Sequence, residues 1–400
     1  MPDESTPHSL PERPDLRYLK DQAKEMVRSG TAGTHAEALF RIARQYGFAS
    51  WPRLRAQVES QHETGRLKQA IDINDLETVQ RMMTRDPALH RAPIGYGKNG
   101  PLTWVAECRI PWEPPSPVRL AMAQWMIDHG SDVHQGGDGP LMRAALVRHR
   151  IPMMELLVAN GADVNAAWGG YFPIIFAPCE TVDAQALRWL LDHGADPMCR
   201  LHPERGTALD YVIGTYSRSE ELGECIDMLL GARCTTRRGT PPVLEILRGR
   251  TDRLALLLES DPGLVLRRFP DLDWGSTAYR RMTLRGATLL HVAAEYGNID
   301  ATRLLLDSGA DVNARADVDV AGVGGQTPIF HAVSQFHDWG LTTTRLLVER
   351  GADLSAQALL PGHYERPDEF VECTPLGYAL RFPGTENRTV DFLRSCGAQP

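Results

Sequence analysis

Residues 288–313, TLLHVAAEYGNIDATRLLLDSGADVN, restrict what this chain can fold into more than any other stretch. Thr288 and His291 stand where a helix begins, and Ala293 and Ala294 are small enough to let a second helix approach. Gly297 and Asn298 turn the chain, and Leu304, Leu305 and Leu306 supply a buried face. Gly309 can adopt the left-handed conformation that ends a helix cheaply, and Asp311 and Asn313 favour the turn that follows. One such helix pair cannot bury its own apolar face, so further copies are required.

They are present with decaying fidelity. Glycine-led stops begin at Gly130, Gly161, Gly194, Gly231, Gly309, Gly351 and Gly397, with spacings of 31, 33, 37, 78, 42 and 46 residues. The longest gap hides a degenerate copy, VLEILRGRTDRLALLLESDPGLV, in which Asp261-Pro262 replaces the glycine stop. A similar copy, LKQAIDINDLETVQRMMTRDPAL, ends at Asp86-Pro87. Helix starts recur as GPLTWVA, GPLMRAA, FPIIFAP, GTALDYV, TPPVLEI, QTPIFHAV and CTPLGYAL. With a unit of roughly 33 residues and the TPLHxAA…GADVN pattern, residues 66–400 resemble an array of ankyrin repeats. That resemblance implies an all-α solenoid of about nine helix pairs joined by hairpin loops, with no sheet beyond short hairpin pairing.

The first 60 or so residues differ in kind. Pro2, Pro7, Pro11 and Pro14 predict a loose tail over 1–14. A small helical cap is expected over 15–62: Leu16, Leu19, Ala23, Met26 and Val27 share one helix face, Ala38, Leu39, Ile42 and Ala43 a second, and Ser50-Trp51-Pro52 opens a third helix. Its LKxQAK and YGFxSW signatures resemble a short leader seen ahead of bacterial ankyrin arrays. Arg17, Lys20, Lys24, Arg28, Arg41, Arg44, Arg53 and Arg55 give the cap a basic face. This is read as a solvated end-cap rather than a nucleic-acid arm.

Composition narrows the function. Hydrophobic residues make up 42% of the 400, enough for a long stack of thin layers. A net charge of -8 argues against nucleic acid as partner. No apolar run approaches a bilayer span, and MPDESTPHSL does not read as a secretory signal. Seven cysteines without a CxxC pair point to reduced thiols and a cytoplasmic setting. No cofactor, metal or catalytic constellation is expected: HExxH, GxSxG and GxxxxGK[ST] are missing from the sequence. GYGKNG at 95–100 matches GxGxxG without a strand before it, and Arg148-His149-Arg150 lacks ligand spacing. His291 would tempt a catalytic reading, but in the resembled family its counterpart hydrogen-bonds locally at the start of the first helix. His129 and His193 sit at helix C-termini, where a cation complements the dipole.

One column departs from the family pattern. The residue after the TPLH histidine position reads Trp104, Arg143, Phe176, Tyr211, Leu244, Val292, His331 and Tyr378. Three residues on stand Glu107, Leu146, Cys179, Gly214, Leu247, Glu295, Ser334 and Arg381. Both columns should line the inner wall of a stack, giving an aromatic groove with a few charges, unless each ring simply fills its own repeat. The loops add Tyr96, Trp168, Tyr171, Phe172, Trp274, Tyr279 and Tyr364 in polar, Gly-rich settings suited to an interface. The expected binding set is Trp104, Glu107, Arg143, Trp168, Tyr171, Phe176, Tyr211, Trp274, Tyr279, Glu295, Tyr378 and Arg381. The function expected is a non-enzymatic module that binds a protein through the concave face and hairpin loops. The alternative is a small-molecule or catalytic groove drawing on Glu107, Asp210, Asp273 or Glu295.

Overall fold

A computed structural model describes residues 8–11, 14–108, 113–200, 206–237, 239–272, 282–336, 338–362, 368–381 and 388–400. The chain divides into two compact units, residues 1–140 with 155–161, and residues 141–154 with 162–400.

In the first unit lie α1 (Leu16–Arg28), α2 (His35–Gln45), α3 (Trp51–Asp72), α4 (Leu76–Arg85), α5 (Pro101–Glu107) and α6 (Pro117–Asp128). Leu19, Ala23, Ala38, Ile42, Ala43, Leu54 and Val58 close a small core between α1, α2 and the start of α3, while Val27 stays exposed. The boundary expected at 62–66 falls inside α3, which runs unbroken for 22 residues. Between Pro52 and the end of α3 the one glycine or proline is Gly65, and the helix runs through it. The third cap helix and the first helix of the first repeat are therefore one helix. α7 (Gln135–Leu146) and α8 (Ile151–Ala159) contribute to both units.

The second unit continues with β1 (Ala167–Trp168), β2 (Phe172–Pro173), α9 (Phe176–Thr181), α10 (Ala184–Asp192), α11 (Ala208–Gly214), α12 (Leu222–Gly231), α13 (Pro241–Leu247) and α14 (Thr251–Ser260). Then come α15 (Leu289–Glu295), α16 (Ile299–Asp307), α17 (Pro328–Val333), α18 (Leu341–Glu349), β3 (Ala358–Pro361), β4 (Phe370–Cys373), α19 (Pro375–Ala379) and α20 (Arg388–Ser395). Among the described residues, extended structure is confined to two antiparallel hairpins and isolated bridges, as the repeat pattern predicts.

Local chemistry explains the helix pairs. First helices open with proline behind a Thr or Gly cap, as at Thr240-Pro241, Thr327-Pro328 and Thr374-Pro375. Some second helices open on a carboxylate or amide cap: Asp183 accepts from the Ala186 N–H at 3.0 Å, and Asn298 from the Ala301 N–H at 2.9 Å, whereas α12, α14 and α18 open without a side-chain cap. Every residue of α15 is buried, since a first helix is enclosed by neighbouring first helices and by its own second helix. Gly309 ends α16 at φ 93, a conformation expensive for any residue with a Cβ. At the GARCT stop the structure departs from the pattern. Gly231 is still helical, and Arg233 takes the left-handed turn at φ 61.

Candidate functional site

The first-helix column is mostly interior. Glu107, Arg143, Phe176, Glu295 and Tyr378, all expected on a groove wall, are buried. The cause is packing: a side chain projecting from one short first helix meets the next. Phe176 is enclosed by Tyr211 and Phe172, with ring centroids 5.0 and 6.1 Å away, and the Tyr378 hydroxyl donates to the Pro361 carbonyl at 3.2 Å. Of the expected binding residues in the column, three reach solvent. Trp104 is half-buried, its Nε1–H donating to Asp72 at 2.6 Å and its face 3.9 Å from the Lys68 Nζ. Tyr211 is half-buried, and Arg381 is exposed, 3.6 Å from Glu369.

The second unit carries a polar hub that the column pattern does not reveal. It is the loop between α11 and α12, Thr215–Glu221. Backwards along the chain, Thr215 Oγ1–H donates to the Glu180 carbonyl at 2.8 Å, and Tyr216 donates to Glu180 Oε1 at 2.8 Å. Tyr211 donates to the other Glu180 oxygen at 3.0 Å. Burial, and then the Glu180 charge, hold the Tyr211 phenol well above its ordinary pKa, so it stays a donor. Arg148 bonds to Glu221, and to Ser219 at 3.1 Å.

Forwards, Arg218 reaches Glu295 on α15 at 2.5 Å, and His331 on α17 holds the other Glu295 oxygen through Nδ1 at 2.6 Å. Glu295 and His331 are wholly buried and Arg218 nearly so. Arg218 also donates to the Thr215 and Ser217 carbonyls and lies 4.5 Å from the Tyr296 ring centroid. The Tyr296 hydroxyl donates back to the Ile213 carbonyl at 2.5 Å. These contacts bridge over the intervening α13–α14 pair. Beside them runs an open groove of about 690 Å³, lined by Arg188, Glu224, Asp227, Arg248, Asn298 and Trp339. Of this hub, the sequence placed Tyr211, His331 and Glu295 on the column and only Tyr211 and Glu295 in the binding set. The signal for the rest was the polar insert TYSRSEE, longer than the Gly-Asn turn of the best repeat.

Elsewhere, charge and thiol chemistry is quiet. The Thr288 N–H donates to His291 Nδ1 at 3.1 Å, and Nε2 donates to the Gln326 carbonyl at 3.1 Å, which fixes a neutral imidazole. Burial, then the neighbouring His331, pull its pKa down to about 3. Burial pushes the Cys225 and Cys199 thiols up to about 12 and Cys373 to about 11, far from nucleophilic thiolates at neutral pH. Among the described residues no group of three His, Cys, Asp or Glu side chains is placed to hold a metal, and no helix is long and apolar enough to cross a membrane.

The hairpin loops present apolar side chains outward. Between Trp168 and its partner Phe172 lies a three-residue loop, in which Gly169 and Gly170 both take positive φ, 62 and 76. It sets Trp168 and Tyr171 edge to face at 5.5 Å, with Tyr171 57% exposed. Met198, Val318 and Val320 are exposed on later loops, and Phe370 at the start of β4. Trp274, Tyr279, Tyr364 and Asp273 lie outside the described residues.

Residues 246–358 match the family described as ankyrin repeats in three copies, and residues 136–168 match a single ankyrin repeat. Those two stretches carry ankyrin repeats. With the helix pairs above, its fold class is the all-α ankyrin-repeat solenoid. Over 121 residues it is 31% identical to the human ankyrin repeat domain-containing protein SOWAHD, covering 30% of this chain and 34% of that protein. The chain thus spans about a third of that relative's length. The crystal structure of the human ASB11 ankyrin repeat domain aligns with 76% of this chain and 100% of its own, at 19% identity and a TM-score of 0.29.

Proposed function

We propose that the chain is a non-enzymatic module that binds a protein partner through its hairpin loops and the solvent-reaching part of the first-helix column. The carrying observation is the outward presentation of Tyr171, edge to face with the half-buried Trp168, on a glycine-built turn, while Phe176 and Tyr378 of the first-helix column are buried. Rigid aromatics on loops lose little entropy on binding and serve as anchors. Trp168, Tyr171, Trp274 and Tyr279 would make loop contacts, and Trp104, Tyr211 and Arg381 would be the column members able to touch a partner. Glu107, Arg143, Phe176, Glu295 and Tyr378 hold that column in place from below. Helices α1 and α2 serve as an end-cap of the kind seen ahead of bacterial arrays. The free thiols, most of them buried, suit a reducing cytoplasm.

The test is site-specific photo-crosslinking in lysate. A benzophenone amino acid at Tyr171 or Met198 should capture a discrete protein, whereas the same probe at Arg303 or Asp307 on the second helix α16 should not. Capture from α16 alone would overturn the assignment.

A further inference from the structure

We infer that β4 is a docking edge for an extended, basic peptide that joins the hairpin as an added strand. This rests on the reading of the hairpin loops as the binding side, and specifies the partner's chemistry. β3 and β4 pair with Ala358 opposite Cys373, Leu359 opposite Glu372, Leu360 opposite Val371 and Pro361 opposite Phe370. The Gly362 N–H donates to the Glu369 carbonyl at 2.9 Å, so that pair is hydrogen-bonded. Antiparallel ladders alternate bonded and non-bonded pairs. The bonded pairs are then Leu360 with Val371 and Ala358 with Cys373, leaving Leu359, Pro361, Phe370 and Glu372 to direct their backbone groups outward. Leu359 bears this out on the β3 side, where its carbonyl accepts the Gly324 N–H at 2.8 Å.

On the far side the sheet ends with β4. Among the described residues nothing bonds to the outward N–H and C=O groups of Phe370 and Glu372. An open row of this kind is a template for another strand.

The side chains state what that strand should carry. Val371 and Cys373 face the core, while Phe370 and Glu372 face solvent beside the half-buried Leu359 and Pro361. Phe370 is 51% exposed and offers an apolar platform. Among the described residues, Asp368, Glu369 and Glu372 make the edge acidic, with Arg381 3.6 Å from Glu369 as a partial offset. A second copy pairing edge to edge would set like charges across from one another, which is destabilising. A strand alternating apolar residues with lysine or arginine meets both features, one side chain over Phe370 and a cation beside Glu372.

The probe is a short fluorescein-labelled peptide of alternating lysine and valine, titrated against the full chain by anisotropy. Saturable binding is expected, with the Phe370 and Glu372 amides slowed in hydrogen exchange and the already bonded Val371 amide unchanged. Methylating alternate peptide nitrogens on the docking edge should weaken binding about tenfold or more, since backbone bonds are lost with charge kept. Glu372→Lys should reverse the preference towards an alternating glutamate–valine peptide. Glu372→Pro, tolerated at an edge, should weaken both peptides by removing one outward N–H. Unchanged exchange in the α19 amides verifies that each variant is folded. No binding, equal binding of the methylated peptide, or protection away from β4 would each overturn strand addition. Cross-linking from Tyr171 with no peptide binding would sink this inference alone; peptide binding with cross-linking only from α16 would sink the wider reading.

Discussion

Arg218→Ala tests whether the hub is structural glue across a repeat. The guanidinium lies 2.5 Å from a carboxylate with no solvent exposure, and its own side chain is only 7% exposed. Removing it takes the guanidinium from the buried Glu295 carboxylate, whose other oxygen His331 Nδ1 holds, and strips donors from the Thr215 and Ser217 carbonyls. Deleting one partner of a buried pair costs about 3–5 kcal/mol, most of it the stranded charge. Replacing both partners with apolar side chains of similar size, Arg218→Met with Glu295→Leu, removes that stranded charge. The double variant should therefore recover a large part of the loss, with coupling of about 2–3 kcal/mol. Unfolding of repeat arrays need not be two-state, so the assay is native-state hydrogen exchange read segment by segment alongside urea melts. In Arg218→Ala, amides of α11 and α15 should lose protection together while α1 and α2 keep theirs. A loss below about 1 kcal/mol, or strict additivity of the two single changes, would refute the bridge.

Acid should destabilise the second unit through His291. Its folded pKa lies near 3 against 6.5 unfolded, so the unfolded chain binds the extra proton between those values. Stability is then fully present above about pH 6.5 and falls by about 1.4 kcal/mol per unit towards pH 3, a slope that His291→Gln should flatten in urea melts taken across that range. Gly309→Val should lower stability by about 1–2 kcal/mol through backbone strain alone, because the added Cβ meets nothing within 4 Å; Gly309→Asn should lose clearly less. Tyr171→Ala and Trp168→Ala should each weaken partner binding by about 2 kcal/mol at a true hot spot while leaving melting nearly unchanged; normal binding by both would remove the β1–β2 loop from the interface.

The helix pairs were legible because their determinants are local. Proline after a threonine cap, Asn298 at a helix start and Gly309 at a helix end act within four residues, and each appears in the structure where the pattern put it. The GARCT stop slipped because the pattern fixes which residue type suits the left-handed site, and Arg233 occupies it against type. The long α3 was read as two elements because the change from cap pattern to repeat pattern looked like a boundary. Periodicity identifies a face, but it does not say how many neighbours enclose it. Hence Phe176 and Tyr378 looked like groove walls and lie inside. The hub was least legible, since Arg218 finds Glu295 across 77 residues and no local rule sets such a pairing.

That pairing has a reason in the sequence it skips. The α13–α14 pair has lost the devices that stabilise the best repeat. Val243 stands where His291 closes a buried capping box in α15, and Asp261-Pro262 stands in place of a glycine stop. It retains ion pairs to Asp227, from the mostly buried Arg248 at 2.6 Å and from the exposed Arg250 at 2.7 Å, the latter contributing little. In an array stabilised by nearest-neighbour interfaces, one poor repeat is a point where cooperativity breaks. A tie from the α11–α12 loop to α15 passes that point, so α11 and α15 support one another without relying on what lies between. The same loop anchors to Glu180 and Arg148 behind it. The insert is thus placed where the repeat pattern is poorest, and its polar composition follows from spanning a distance that apolar packing between adjacent helices does not cover.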